Sequence, residues 1–166
     1  MKIYQLTLRE INELIKDVEE RKRWMQRKTD ELAKRLAEIG AEQAQIGFDS
    51  DTFMLVQKAS TVTVVPGGEG RYIVRADGEN VLFIEFGAGN IGAGHPEAEV
   101  NGMGPGTYPG QSHVPTPGWW YLPKEVQEAT GRHKSFGNPP EMPMYNAVKY
   151  LEQELDRIVQ EVFERD

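Results

Sequence analysis

The 166-residue chain contains no cysteine. That absence removes disulfide scaffolds, thiol nucleophiles, thiolate zinc sites and iron–sulfur clusters together. Apolar runs are short, and none approaches the ~20 residues that a bilayer-spanning helix requires. The opening residues, MKIYQLTLRE, lack the apolar core of a signal peptide. This suits a protein made and used in the cytoplasm, or assembled there into something larger. Positive charge is in deficit too: 19 Lys and Arg stand against 26 Asp and Glu, a formal net charge of −7. The chain as a whole is therefore repelled by nucleic acid and anionic membrane.

What is present reads as one α+β domain over residues 1–166, a length that can bury a hydrophobic core. Thr7 and Glu10 form a capping box, in which the Thr hydroxyl accepts from the Glu10 amide and the carboxylate reaches back to the Thr7 amide. Ile11, Val18, Met25, Leu32 and Ile39 follow at seven-residue intervals, widened by Leu14, Ile15 and Leu36. The spacing predicts an N-terminal helical region over 7–47, either one long helix or two helices broken at Glu19 to Arg23. Three strand-like runs come next: STVTVV (60–65), RYIVRA (71–76) and VLFIEF (81–86). Turn material separates them, including Asp77-Gly78. The connections are too short for parallel crossovers. They predict an antiparallel meander over 59–86, a small sheet of about three to four strands.

Residues 87–140 hold 11 of the 17 glycines and 8 of the 10 prolines, a density that excludes long helices and regular sheet. Trp119, Trp120 and Tyr121 sit inside this stretch, and such a cluster argues against a solvated linker. A C-terminal helix over 142–164, with Pro143 in its first turn, is predicted to pack on the sheet. Its apolar line runs through Tyr145, Val148, Leu151, Leu155, Ile158, Val159, Val162 and Phe163.

Several motifs invite a chemical reading. Gly87, Gly89 and Gly92 have the G-x-G-x-x-G spacing of a dinucleotide loop, which needs a helix directly after it so that the N-terminus faces the pyrophosphate. The following residues, AGHPEAEVNGMGPG, contain proline and more glycines, so a strand ending in a bend is the simpler reading. Glu85 interrupts an apolar run. It could serve a hydrolase, cap backbone amides or pair with a base on another subunit, and a lone carboxylate rarely makes an active site. His95, Glu97 and Glu99 offer a metal-dependent alternative, with His113 and His133 in the same stretch, but match no standard ligand spacing. Ser112-His113 is no triad. Arg21, Lys22, Arg23, Arg27 and Lys28 form the one basic cluster. It suits a nucleic-acid-binding module, or a solvated or acid-facing helical surface given the flanking Glu19, Glu20, Asp30 and Glu31.

LAEIGAEQAQIGF (36–48), VLFIEFGAG (81–89), His95-Pro96, GWWY (118–121) and GNPPEMPMYNAVKYL (137–151) occur in this order. Together they resemble the small head–tail joining and tail-completion family of long-tailed, double-stranded DNA phages and prophages, also called minor capsid, neck or tail-component proteins. The glycine-rich subset from phages of Gram-positive bacteria is the most similar. The resemblance spans roughly residues 30–163 and implies a non-enzymatic virion protein, assembled in the bacterial cytoplasm. It implies a homo-oligomeric ring, often a hexamer, in the neck. The ring would contact the connector on one side and tail-tube or tail-terminator proteins on the other, with the genome passing through. It implies no cofactor, metal, membrane or small-molecule substrate. Aromatic residues anchor interfaces. Glu85, Phe86, Trp119, Trp120, Tyr121, Met142, Met144 and Tyr145 are therefore the expected contact residues.

Overall fold

The computed structural model describes residues 7–50, 60–89, 94–103, 120–122 and 124–164. The fold is α+β. Helix α1 (Leu8–Asp49) is followed by strands β1 (Thr61–Pro66) and β2 (Tyr72–Asp77) and helix α2 (Val81–Phe86). Short strands β3 (Ala88–Gly89) and β4 (Trp120–Tyr121), helix α3 (Lys124–Thr130), and strands β5 (Lys134–Ser135) and β6 (Gly137–Asn138) lead to helix α4 (Pro143–Glu164).

Helix α1 starts where the capping box places it. The Thr7 hydroxyl accepts from the Glu10 amide at 3.4 Å, while the Glu10 carboxylate meets the Thr7 hydroxyl rather than its amide. No break occurs at Glu19 to Arg23. The 42 residues form one helix, about 63 Å long at ~1.5 Å per residue. Charged residues in that segment favour helix, and a polar face needs no tertiary cover.

Helix α4 does not lie mainly on the sheet, as its apolar line suggested. It runs antiparallel along α1. Gly47 touches Pro143 at one end, and the Trp24 and Phe163 rings meet edge to face at 5.8 Å at the other. The core lies on this seam and under the hairpin, with Ala37, Ile39, Ala44, Phe48, Ala147, Ile158 and Val162 buried. Small residues on α1 allow the close approach. A Cβ on Gly47 would stand 2.6 Å from the Pro143 Cβ and 3.1 Å from its Cα. Proline cannot rotate away, so Gly47→Ala is expected to cost about 1–3 kcal/mol through overpacking. At Gly40 the added Cβ meets only the mobile tip of Leu151, at 3.0 Å. There the gain in helix propensity, up to ~1 kcal/mol, leaves Gly40→Ala neutral or stabilising. Paired thermal melts of the two variants check the contrast.

β1 and β2 form a two-stranded antiparallel hairpin in register Thr61↔Asp77 to Pro66↔Tyr72. One face packs on α1: Val74 approaches Gly40, and the Tyr72 hydroxyl donates to Asp30 at 3.2 Å. Desolvation and that hydrogen bond hold the Tyr72 phenol above its ordinary value. The third run of the expected meander, residues 81–86, is helix α2 and not a strand. Asp77-Gly78 leads into a turn that the Ile84 amide closes on the Asn80 carbonyl at 3.0 Å. A six-residue apolar run carries no period that separates strand from helix. Burial decides it: the helical turn tucks the neighbours Ile84 and Glu85 inside together, whereas strand geometry would send them to opposite faces.

Residues 87–140 contain no long helix or extended sheet among those described. Their order comes from the two-turn α3 and two ladders, Ala88↔Asn138 with Gly89↔Gly137, and Trp120↔Ser135 with Tyr121↔Lys134.

Candidate functional site

Helix α4 begins without the usual means of satisfying its first amides. The residue before it, Met142, has no hydrogen-bonding side chain and sits at φ 58°. Pro143 has no N–H to satisfy, which suits the first helical position. Met144 and Tyr145 do, and serine or aspartate at the cap would ordinarily accept from them. Here Glu85 does so from α2. Its Oε2 accepts from the Met144 amide at 2.8 Å and its Oε1 from the Tyr145 amide at 3.0 Å.

The cap is fixed from behind. His95 Nε2 lies 3.1 Å from Glu85 Oε1, with both side chains buried. His95 Nδ1 accepts from the Glu97 amide at 3.1 Å. That bond sets the tautomer, so Nε2 carries the hydrogen and donates to Glu85. The imidazole sits between the rings of Phe86, at 4.5 Å, and Tyr145, at 5.5 Å. The end of α2 is satisfied from the other side of the same junction. The buried Asn138 donates from Nδ2 to the Phe83 carbonyl at 2.7 Å, and the Glu141 amide donates to the Ile84 carbonyl at 2.9 Å. Gly87, at φ 74°, turns the chain into β3 beside β6.

The opposite end of α4 is capped with the opposite sign. Buried Lys28 on α1 donates from Nζ to the Val162 carbonyl at 2.8 Å and lies 3.5 Å from Glu31. A carboxylate on the amide end and an ammonium on the carbonyl end both complement the helix dipole. Lys28→Met keeps the stem and removes the charge. It is expected to cost about 1–2 kcal/mol, checked by urea unfolding.

Of the expected contact residues, Glu85, Phe86, Met144 and Tyr145 come together here, with Met142 at the edge. Trp119 lies outside the described residues. Trp120 and Tyr121 contribute backbone to β4, and their side chains lie outside what is described. Both His95 nitrogens are engaged in hydrogen bonds, Glu97 and Glu99 are exposed, and no group of three metal-ligating side chains occurs among the described residues. His133 bonds to Gln127 at 2.7 Å, while Gly92, Ser112 and His113 lie outside the described residues. In the basic cluster Lys28 is committed to α4, whereas Arg21, Lys22, Arg23 and Arg27 are exposed. A charged groove of 210 Å³ near the end of α4 includes Glu31, Glu38 and Glu161. These carboxylates are ion-paired with Lys28, Lys34 and Arg157 respectively.

Sequence reasoning placed Lys28 in the basic cluster and missed its hold on α4, and it missed Asn138. Lys28 carried a signal: it stands one turn before Leu32 and two before Leu36, a cation on the apolar stripe. Asn138 carried none, because its partner is 55 residues away.

No family model matches the chain, and no curated protein or solved structure matches it.

Proposed function

We propose that the chain is a structural, non-enzymatic subunit of the neck of a long-tailed double-stranded DNA phage or prophage, one member of an oligomeric ring that joins or completes the tail. The identity of the assembly rests on the resemblance of its sequence blocks to the head–tail joining family. The structural observation that carries an assembly role is the exposed apolar line on α1 beyond the end of α4. Helix α4 ends near Trp24, so residues 8–23 of α1 run past it for about 24 Å. Leu8, Ile11, Leu14, Ile15 and Val18 are exposed along that arm. A seven-residue apolar line with no cover among the described residues suits contact with a neighbouring molecule.

The Glu85 junction supports the same reading. It unites the E-F-G-A-G block, His95 and the P-M-Y-N block, and its donors and acceptors hold the backbone together. A general acid or base needs a group free to exchange a proton with substrate.

The test is deletion of the gene in its parent phage or prophage, with electron microscopy of the lysate. DNA-filled heads beside unattached tails, or tails of abnormal length, are expected. Normal infectious virions overturn the proposal.

A further inference from the structure

The two edges of the hairpin differ. The Gly67 amide donates to the Arg71 carbonyl at 2.8 Å, which fixes the parity of the ladder. The pairs 65:73, 63:75 and 61:77 exchange hydrogen bonds, while residues 62, 64 and 66 of β1 and 72, 74 and 76 of β2 point their backbone groups outward. The β1 edge is guarded at its two ends, on either side of Val64. Gln45 covers it like a strand, accepting from the Val62 amide at 2.8 Å and donating to the Ser60 carbonyl at 3.0 Å, and Pro66 has no N–H. On the β2 edge the outward N–H and C=O groups of Tyr72, Val74 and Ala76 meet no backbone or side-chain partner among the described residues. An unguarded edge is a template for another strand.

Charge identifies the strand that fits. Arg71, Ile73, Arg75 and Asp77 lie on the face away from α1; Asp77 pairs with Arg75 of its own strand at 2.7 Å through one carboxylate oxygen, and Arg71 makes no ion pair among the described residues. If β2 pairs antiparallel with β2 of a second copy about Val74, the pairs 72:76, 74:74 and 76:72 use every outward group. Arg71 of each copy then stands opposite Asp77 of the other. Shifting the centre to residue 73 sets Arg71 against Arg75, and shifting it to 75 sets Arg75 against itself. Like charges directly opposite are destabilising, so of these three registers the one centred on Val74, which also uses every outward group, is favoured.

We propose that β2 is a self-pairing edge, through which two copies of this chain join in a four-stranded antiparallel sheet centred on Val74. The contact is isologous, hence distinct from the head-to-tail contact that closes a ring. It pairs free subunits and does not depend on the virion reading.

Sedimentation of the full chain over a wide concentration range tests it, together with amide exchange at Tyr72, Val74 and Ala76. A monomer–dimer equilibrium is expected, with those three amides protected as the dimer forms. Val74→Pro removes the central donor and is expected to raise the dissociation constant roughly tenfold or more. Val64→Pro, on the guarded edge, leaves it unchanged and controls for damage to the hairpin. Arg71→Asp and Asp77→Arg each weaken self-association roughly tenfold by opposing like charges. Mixed together they restore it, because the heterodimer sets opposite charges at both 71:77 pairs. A chain that stays monomeric overturns the proposal, as does association indifferent to Val74→Pro. A chain that assembles into rings but shows no dimer sensitive to Val74→Pro overturns it while leaving the neck reading intact. A dimer with these sensitivities, from a gene whose deletion leaves normal virions, does the reverse.

Discussion

Glu85→Ala is expected to lower the unfolding free energy by about 3–5 kcal/mol, the scale for removing one partner from a buried polar cluster. Three donors lose their acceptor at once: the Met144 and Tyr145 amides and His95 Nε2. Water is a poor substitute, since Glu85 is 5% exposed and His95 8%. The loss is greater than for an ordinary cap, about 0.5–2 kcal/mol, because the cap also ties α2 to α4. Glu85→Gln separates the contributions. It keeps one acceptor but turns an NH₂ toward a donor, and should cost about 2 kcal/mol. Urea unfolding of the three proteins is the measurement. A catalytic carboxylate gives a different result, because alanine at a strained active site commonly leaves stability unchanged or raises it. An alanine variant within ~1 kcal/mol of the parent would therefore return Glu85 to the enzymatic alternative.

The junction also marks how far the sequence could be read. Features whose cause is local were legible. The capping box places the start of α1 at Leu8, the seven-residue apolar line forms helix, and the β-branched run at 60–65 forms β1. Pro143 opens α4 as its missing N–H requires. Features decided by distant partners were not. Residues 81–86 have strand composition, and only their placement beneath the start of α4 makes them a helix. That Glu85 caps amides is a local possibility, but the amides it caps lie 59 and 60 residues away. The same reason explains why α4 was expected on the sheet. An apolar stripe states that a helix must be covered, not by what, and Gly40 and Gly47 become an approach surface only once Leu151 and Pro143 are known to face them. The segments VLFIEFGAG (81–89) and GNPPEMPMYNAVKYL (137–151) prove to supply two halves of one hydrogen-bonded joint, Glu85 on one side and the Met144 and Tyr145 amides on the other.

Ile158→Ala should cost about 3–4 kcal/mol, within the range for emptying a fully buried aliphatic site. Ile158 is 0% exposed, and it is the only large side chain so completely enclosed among the described residues. It sits on the α1–α4 seam one turn before Val162, the residue whose carbonyl Lys28 holds. Collapse around the cavity is resisted from both ends, because Pro143 lies against Gly47 and the Trp24 and Phe163 rings meet at the other end. Ile158→Val, which removes one methylene, should cost about 1 kcal/mol. Leu155→Ala, at a side chain 42% exposed on the same helix, should cost less than Ile158→Ala in the isolated chain. The contrast bears on assembly as well as stability. A domain of this kind has about 5–15 kcal/mol in total, so Ile158→Ala should lower the melting temperature of every assembly state. A substitution on the exposed apolar line of α1, such as Val18→Ala, should leave the dilute chain unchanged, because Val18 is 57% exposed there. It should lower the melting temperature only at concentrations where neighbours cover the arm, since partners that bind the folded state alone stabilise it by mass action. Melting both variants across a concentration series separates the side chains that hold this chain together from those that hold it to others. An arm variant equally destabilised at every dilution would place Val18 in the fold rather than at an interface.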